Sequence, residues 1–201
     1  ATILKNSPNS ISIKAKAMAA AGSDARMGGC SLPVVINCGS GNQGITASIP
    51  VIIYANELKV SEELKLRALA LSNLVSLYQK KYIGRLSAYC GAVCAACGSG
   101  AAIAYLISHN FETVSKTITN TLGNVSGIIC DGAKASCAAK IASCVDATIM
   151  ACNMAIDKKS FMPGNGIIKD TTDKTIQAVG RVGKLGMKQT DTEILHIMLE
   201  N

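Results

Sequence analysis

A long run without a single charge, Leu86 to Ile107 (LSAYCGAVCAACGSGAAIAYLI), restricts what this chain can fold into. Its length would suit a membrane span, and Lys or Arg flank it only at its N-terminal end. Its composition points elsewhere. Gly, Ala, Cys and Ser make a poor lipid-facing surface and a good close-packing one, so the segment reads as the central helix of a globular protein rather than a membrane span. The rest of the chain agrees: 49% of residues are hydrophobic, only 3% are aromatic, and Trp is absent. Such a core must be filled by Ala, Ile, Leu, Val, Met and Cys. A chain of 201 residues is long enough to bury it as a single domain, residues 1–201.

The remaining pattern is also helical. ISIKAKAMAAAG (11–22) is Ala-rich and closed by Gly22. Residues 28–44 are rich in Gly, Ser, Pro and Asn and predict a loop around the short apolar PVVI. GITASIPVIIYANEL (44–58) reads as a buried helix that Pro50 should kink or break. Ser61, Glu62 and Glu63 open a long helix whose last turn is basic. Further helices are predicted over 87–107, 108–122 and 134–156, with a break near Asp131-Gly132 and a turn at SFMPGNG. TTDKTIQAVGRVG and TDTEILHIMLE give two short C-terminal helices, each started by a Thr/Asp cap. ISIKAK and PVVI are the only strand candidates. The expected class is all-α, with minor strand content at most.

A net charge of +7 raises the question of nucleic acid. The basic residues are scattered (Lys80-Lys81, Arg85, Lys158-Lys159, Lys184, Lys188), and five Tyr and two Phe offer little to stack bases on. A solvated basic surface with some attraction for anionic substrates is the expectation, without nucleic acid as partner. No secretory leader pattern opens the chain, and a start at Ala1 rather than Met is compatible with a mature, trimmed or excised piece. Nine cysteines, an odd count, argue for a reducing, cytoplasmic setting in which thiols serve packing, metal or catalysis.

Gly39, Gly41 and Gly44 in NCGSGNQG have the G-x-G-x-x-G spacing of a dinucleotide-binding turn. That fingerprint also needs a βαβ unit and an acidic residue ending the second strand. Glu62 and Glu63 stand at about the right distance but at a helix start, and no parallel-strand pattern follows. What survives is local: glycines that let main-chain N–H groups turn toward a small anion, with Ser40, Asn42 and Gln43 as neutral hydrogen-bonding groups beside them. A carboxylate suits this better than a diphosphate. A glycine connector without ligand is the competing reading.

Cys90, Cys94 and Cys97 fall at i, i+4, i+7, one stripe of a helix, and Cys130 and Cys137 straddle the Asp131-Gly132 break. Cys144 and Cys152 read as packing residues. Two metal readings stay open on spacing alone. Cys94 and Cys97 with Cys130 and Cys137 would make a four-thiolate zinc site; three thiolates would hold an iron–sulfur cluster with one iron open to substrate. Asp24 and Arg26 in GSDARMGG are expected to pair structurally, with substrate binding as the other reading, and His109 and His196 to be surface or capping residues.

AAGSDARMGGCSLPV, NCGSGNQGITASIPV, YCGAVCAACGSGAA, GIICDGAKASC and TDTEILHIMLE, in this order, closely resemble the family of iron–sulfur L-serine dehydratase α regions, and within it the branch that includes L-cysteine desulfidase. The resemblance covers nearly all of the chain. It implies a mostly helical domain with an oxygen-sensitive [4Fe–4S] cluster and no pyridoxal phosphate. Matching motif to motif, it implies Cys90, Cys130 and Cys137 as cluster ligands, and it leaves Cys94 and Cys97 to packing.

The implied reaction is β-elimination of a small amino acid: L-cysteine to hydrogen sulfide, ammonia and pyruvate, or L-serine to ammonia and pyruvate. Ser40, Gly41, Asn42 and Gln43 would bind the substrate, and the candidate base is either Cys38 or a thiol in the N-terminal part that full-length members carry. Full-length members carry a further N-terminal part with a cysteine in a G-C-T-E-P-like motif, which this sequence lacks. The chain therefore reads as the C-terminal half of such an enzyme, with an N-terminal domain or chain as partner and a homodimer expected. A zinc-stabilised binding module, or a half without activity of its own, are the alternatives.

Overall fold

The computed structural model describes residues 3–6, 10–85 and 87–200; Leu86, the first residue of the uncharged run, lies outside them. The rest of that run forms α4 (Gly91–Ser108), and every residue from Gly91 to Ala104 is buried. Four helices enclose it: α2 (Gly41–Glu57), α3 (Glu62–Ile83), α5 (Phe111–Asn124) and α6 (Cys137–Ile156). α1 (Ile11–Met27) covers α2 and α6, while α7 (Thr172–Arg181) lies against α3 and α5. A π-helical turn, Val182–Gly186, leads from α7 into α8 (Lys188–Leu199), none of whose residues is buried. Among the described residues there is no strand, only two isolated antiparallel bridges, Asn37–Ser40 and Tyr89–Ile129. The all-α expectation holds.

Small residues let α4 be surrounded on all sides. At Gly100 a Cβ would overlap Thr148 Oγ1 of α6, a contact that only glycine permits. By length and composition two helices, α4 and α6, could cross a membrane. In this fold α4 occupies the core. Cys94, Cys97, Cys144 and Cys152 fill that core as well, and burial pushes the thiols of Cys94, Cys144 and Cys152 up to about 12. They are packing groups, held neutral.

Element boundaries depart from the sequence reading where a cap or a close contact outweighs propensity. α1 runs past Gly22 to Met27, because Gly22 sits against Ile45 (3.2 Å to a built Cβ) instead of ending the helix. ISIKAK is therefore the first turns of α1, not a strand. α2 passes through Pro50 without a break, and it begins at Gly41 rather than Gly44, since the Gln43 N–H donates to Ser40 Oγ (3.4 Å). Ser61, Asn110 and Thr171 cap α3, α5 and α7 through their side chains. α8 instead starts before TDTE and has no side-chain cap. His109 ends α4 in the left-handed region (φ 49), the expected capping role, and His196 sits on exposed α8.

Two outcomes follow from this packing. Gly100→Ala should lower the unfolding free energy in urea by about 1–3 kcal/mol, since the added methyl has nowhere to go between α4 and α6. The buried thiols keep their protons to about pH 12, whereas in the unfolded chain they lose them from about pH 9.0. Their contribution is thus complete below pH 9 and is lost as pH rises through this window. Urea unfolding of the metal-free protein should show stability falling across pH 9–11, by up to about 1.4 kcal/mol per thiol per unit.

Candidate active site

Three helix N-termini meet at one cavity of about 490 Å³. The first turn of α2 brings Ser40, Asn42 and Gln43, the start of α4 brings Cys90, and the start of α6 brings Cys137. Cys90 and Ser136, the residues that precede α4 and α6, make no side-chain cap, so the first N–H groups of both helices are left without that partner near the cavity.

The approach to α2 is a tight turn. The Asn37 N–H donates to Ser40 O (3.2 Å) and the Ser40 N–H donates back to Asn37 O (3.0 Å). Its two central residues, Cys38 (φ 50) and Gly39 (φ 81), both take left-handed backbone, the pattern of a primed hairpin turn. Gly39 adopts this freely; for Cys38 it costs on the order of 1 kcal/mol. The turn is pinned to α3 by buried Asn37, whose side chain donates to Asn73 Oδ1 (2.8 Å) and accepts from Ser76 Oγ (3.2 Å). Cys38 is thereby held at the cavity wall. Gly44, the last glycine of the G-x-G-x-x-G spacing, lies where the Val35 carbonyl leaves no room for a side chain. Its spacing serves a turn and a close backbone crossing; among the described residues no strand follows to complete a dinucleotide unit.

Cys90 and Cys130 are brought together by main chain. The Cys90 N–H donates to Ile128 O (2.8 Å) and the Cys130 N–H to Ala88 O (2.7 Å), flanking the Tyr89–Ile129 bridge. Their thiols are hydrogen-bond partners. Cys130 gives up its proton first: the Cys90 thiol, the Gly132 main chain and the Lys140 ammonium together hold it down to about 6 against the opposing effect of burial. Cys90 is raised correspondingly, by Cys130 and by burial. Cys137 lines the same cavity, accepting from the Lys134 N–H (3.4 Å) and donating to Gly132 O (3.7 Å), so the 130–137 loop folds around its sulfur.

The walls are strongly positive. Arg26, Lys80, Arg85 and Lys140 line the cavity, and among the described residues no Asp or Glu does. Lys140 is paired with Asp131. Arg26 donates to Asn42 Oδ1 (3.2 Å) and forms no ion pair with Asp24, which corrects the expected pairing. Lys80, at the end of α3, is only 6% exposed, and among the described residues its side chain has no hydrogen-bond or ion-pair partner. Gln43 Oε1 and the Tyr89 hydroxyl are buried at this cavity, likewise without partners. Sequence reading missed Lys80, Arg85, Lys140 and Tyr89. The basic last turn of α3 looked like a dipole complement, and nothing in the sequence separates buried Lys80 from exposed Lys81.

Among the described residues no group of three or more His, Cys, Asp or Glu is gathered as a single metal ion would need, so the four-thiolate zinc arrangement is not formed. Cys94 and Cys97 are wholly buried inside α4, away from the cavity wall. A cluster makes a different demand, because its own irons and sulfides fill the space between thiolates that stand around it. Cys90, Cys130 and Cys137 all line the one cavity, without being gathered around a single point.

With this geometry in view, comparison with known proteins gives a consistent result. Residues 2–196 match the serine dehydratase alpha chain family. The chain belongs to that family. A UPF0597 protein of Lachnoclostridium phytofermentans is 59% identical over 198 residues, covering 98% of this chain and 48% of the relative. UPF0597 proteins of Desulfitobacterium hafniense (56% identical; 98% and 46% covered) and Finegoldia magna (52%; 98% and 48%) are similar. The chain thus spans about half the length of the curated relatives it matches. No solved structure matches it.

The Cys90–Cys130 pair makes a direct prediction for metal-free protein. Only thiolate is alkylated, so iodoacetamide labelling of Cys130, mapped by mass spectrometry, should fall to half only near pH 6. In Cys90→Ala, which removes the donor, the midpoint should move up toward the ordinary thiol range of about 8.5.

Proposed function

We propose that this chain is the cluster-bearing part of a lyase that carries out pyridoxal-phosphate-independent, [4Fe–4S]-dependent β-elimination on a small amino acid, with L-cysteine as substrate. The observation that carries this reading is the meeting of Cys90, Cys130 and Cys137, from three separate segments, with Ser40, Asn42 and Gln43 at one positive cavity. Family membership supports a serine dehydratase-like lyase, and the family's name favours L-serine as the second substrate reading.

Cys90, Cys130 and Cys137 would hold the cluster, exchanging the Cys90–Cys130 hydrogen bond for thiolate–iron bonds. When bound, such a cluster supplies Lewis acidity at the leaving group. The chain's own residues do the rest. Gln43, with an unsatisfied buried Oε1, and Ser40 and Asn42 beside it would orient the amino acid by hydrogen bonds. Burial raises the Cys38 thiol, only partly offset by Lys80 and Arg85, so Cys38 holds its proton at neutral pH. That makes it a better proton donor to the departing sulfur than a base toward the α-carbon. The α-proton then falls to a group beyond this chain, in the other half of the length its relatives have. Loss of that proton and of hydrogen sulfide leaves 2-aminoacrylate, whose imine tautomer takes up water to give pyruvate and ammonia.

Anaerobic reconstitution tests the reading. The wild-type protein should take up about four iron and four sulfide per chain, with broad visible absorbance, and Cys130→Ser should lose most of both. Sulfide release from L-cysteine should appear when the chain is joined to the remaining half found in its relatives. A colourless protein that retains zinc, or iron uptake unchanged in Cys130→Ser, would rule the reading out.

A further inference from the structure

We infer that Lys80 is the carboxylate anchor of this site, the residue that makes a free α-carboxylate a requirement for binding. The inference rests on the lyase reading for the identity of the substrate, but its evidence is separate. A lysine whose ammonium has no protein partner at a cavity wall presents that charge to whatever enters the cavity, and a carboxylate is the natural complement. Lys80 is such a residue: its stem is covered, leaving the residue 6% exposed, it lines the cavity, and its side chain has no hydrogen bond or ion pair among the described residues. The neighbouring cations differ. Lys140 is neutralised by Asp131, Arg26 is engaged with Asn42 and half-buried, and Arg85 is exposed to solvent.

The surroundings of Lys80 fit an amino-acid head group rather than a larger anion. The charges of Lys80 and Arg85 both reach Cys38, which places Lys80 at the turn side of the cavity, and its charge reaches Cys94 in the first turn of α4. Gln43 Oε1 is a free acceptor at the same cavity, suited to an ammonium donor. Its side chain lies against Gly91, where any Cβ would displace it. One unpaired lysine and one buried, unsatisfied neutral acceptor thus belong to residues lining one space, matching a carboxylate and an ammonium on one carbon. A diphosphate would leave the acceptor opposed.

Protection of Cys38 from N-ethylmaleimide, read by peptide mapping on the full 201-residue chain, tests this without catalysis. L-Alanine and propionate should protect Cys38, and L-alaninol, which lacks the carboxylate, should not. In Lys80→Met the half-protecting concentration of L-alanine should rise at least tenfold, while Lys81→Met, an equal charge change on the exposed neighbour, should leave it unchanged. Equal protection of wild type by L-alanine and L-alaninol would overturn the inference, and that comparison does not depend on how any variant folds. So would unchanged protection in Lys80→Met, or loss of iron uptake in that variant with protection intact, which would make Lys80 a counter-charge to the thiolates. Should the wild type bind no iron yet still be protected by carboxylates, the lyase reading fails and the carboxylate site stands.

Discussion

Two main-chain hydrogen bonds, Cys90 N–H to Ile128 O and Cys130 N–H to Ala88 O, hold the site in place. The chain between them carries all of α4 and α5, so closing it costs loop entropy that only packing of those helices can offset. The bridge is not a surface ornament. Tyr89, at its centre, is buried, and an unpaired amide beside it would be left without water. The core thus sets the separation of Cys90 and Cys130 before any ligand arrives. This is preorganisation supplied by the fold.

From that bridge the rest of the cavity follows. α4 leaves directly after Cys90 and α6 begins at Cys137, so both helices point their positive ends at the same space, and the Asn37–Ser40 turn delivers the start of α2 beside them. Aligned N-termini together with Arg26, Lys80, Arg85 and Lys140 would repel a bare cation. They suit thiolates and a carboxylate, species that bring negative charge of their own.

Helix content was legible because it rests on local signals: an uncharged small-residue run, and Ser61, Asn110 and Thr171 as caps. Gly22 and Pro50 misled because each local rule was outweighed by α1–α2 packing or by a helix already secured at its cap. The stripe Cys90, Cys94, Cys97 misled in a more instructive way. Periodicity places them on one face, but Cys90 is the residue before the helix and faces the space beyond its end, while Cys94 and Cys97 face neighbouring helices. Lys80 was illegible for the same reason: its role depends on which neighbour covers it, and α3 carries no mark of that.

The nine cysteines make the point sharper, since residue type is constant and only the surroundings differ. Burial, the largest cause for each, raises Cys94, Cys144 and Cys152 to about 12 and makes them inert filler. Cys38 is raised too, yet a left-handed backbone that favours glycine holds it at the cavity beside two cations. Cys130 alone among those with a resolved shift is lowered, because a neighbouring thiol donates to it and Lys140 stands near. A thiolate that persists at neutral pH is the form that binds a soft metal, whereas a thiol at 12 would first have to surrender its proton inside an apolar core. Ligand capacity in this chain therefore follows the distribution of hydrogen-bond donors and cations rather than the spacing of sulfur. Only the end of the bundle where three helices begin supplies Cys130 with both.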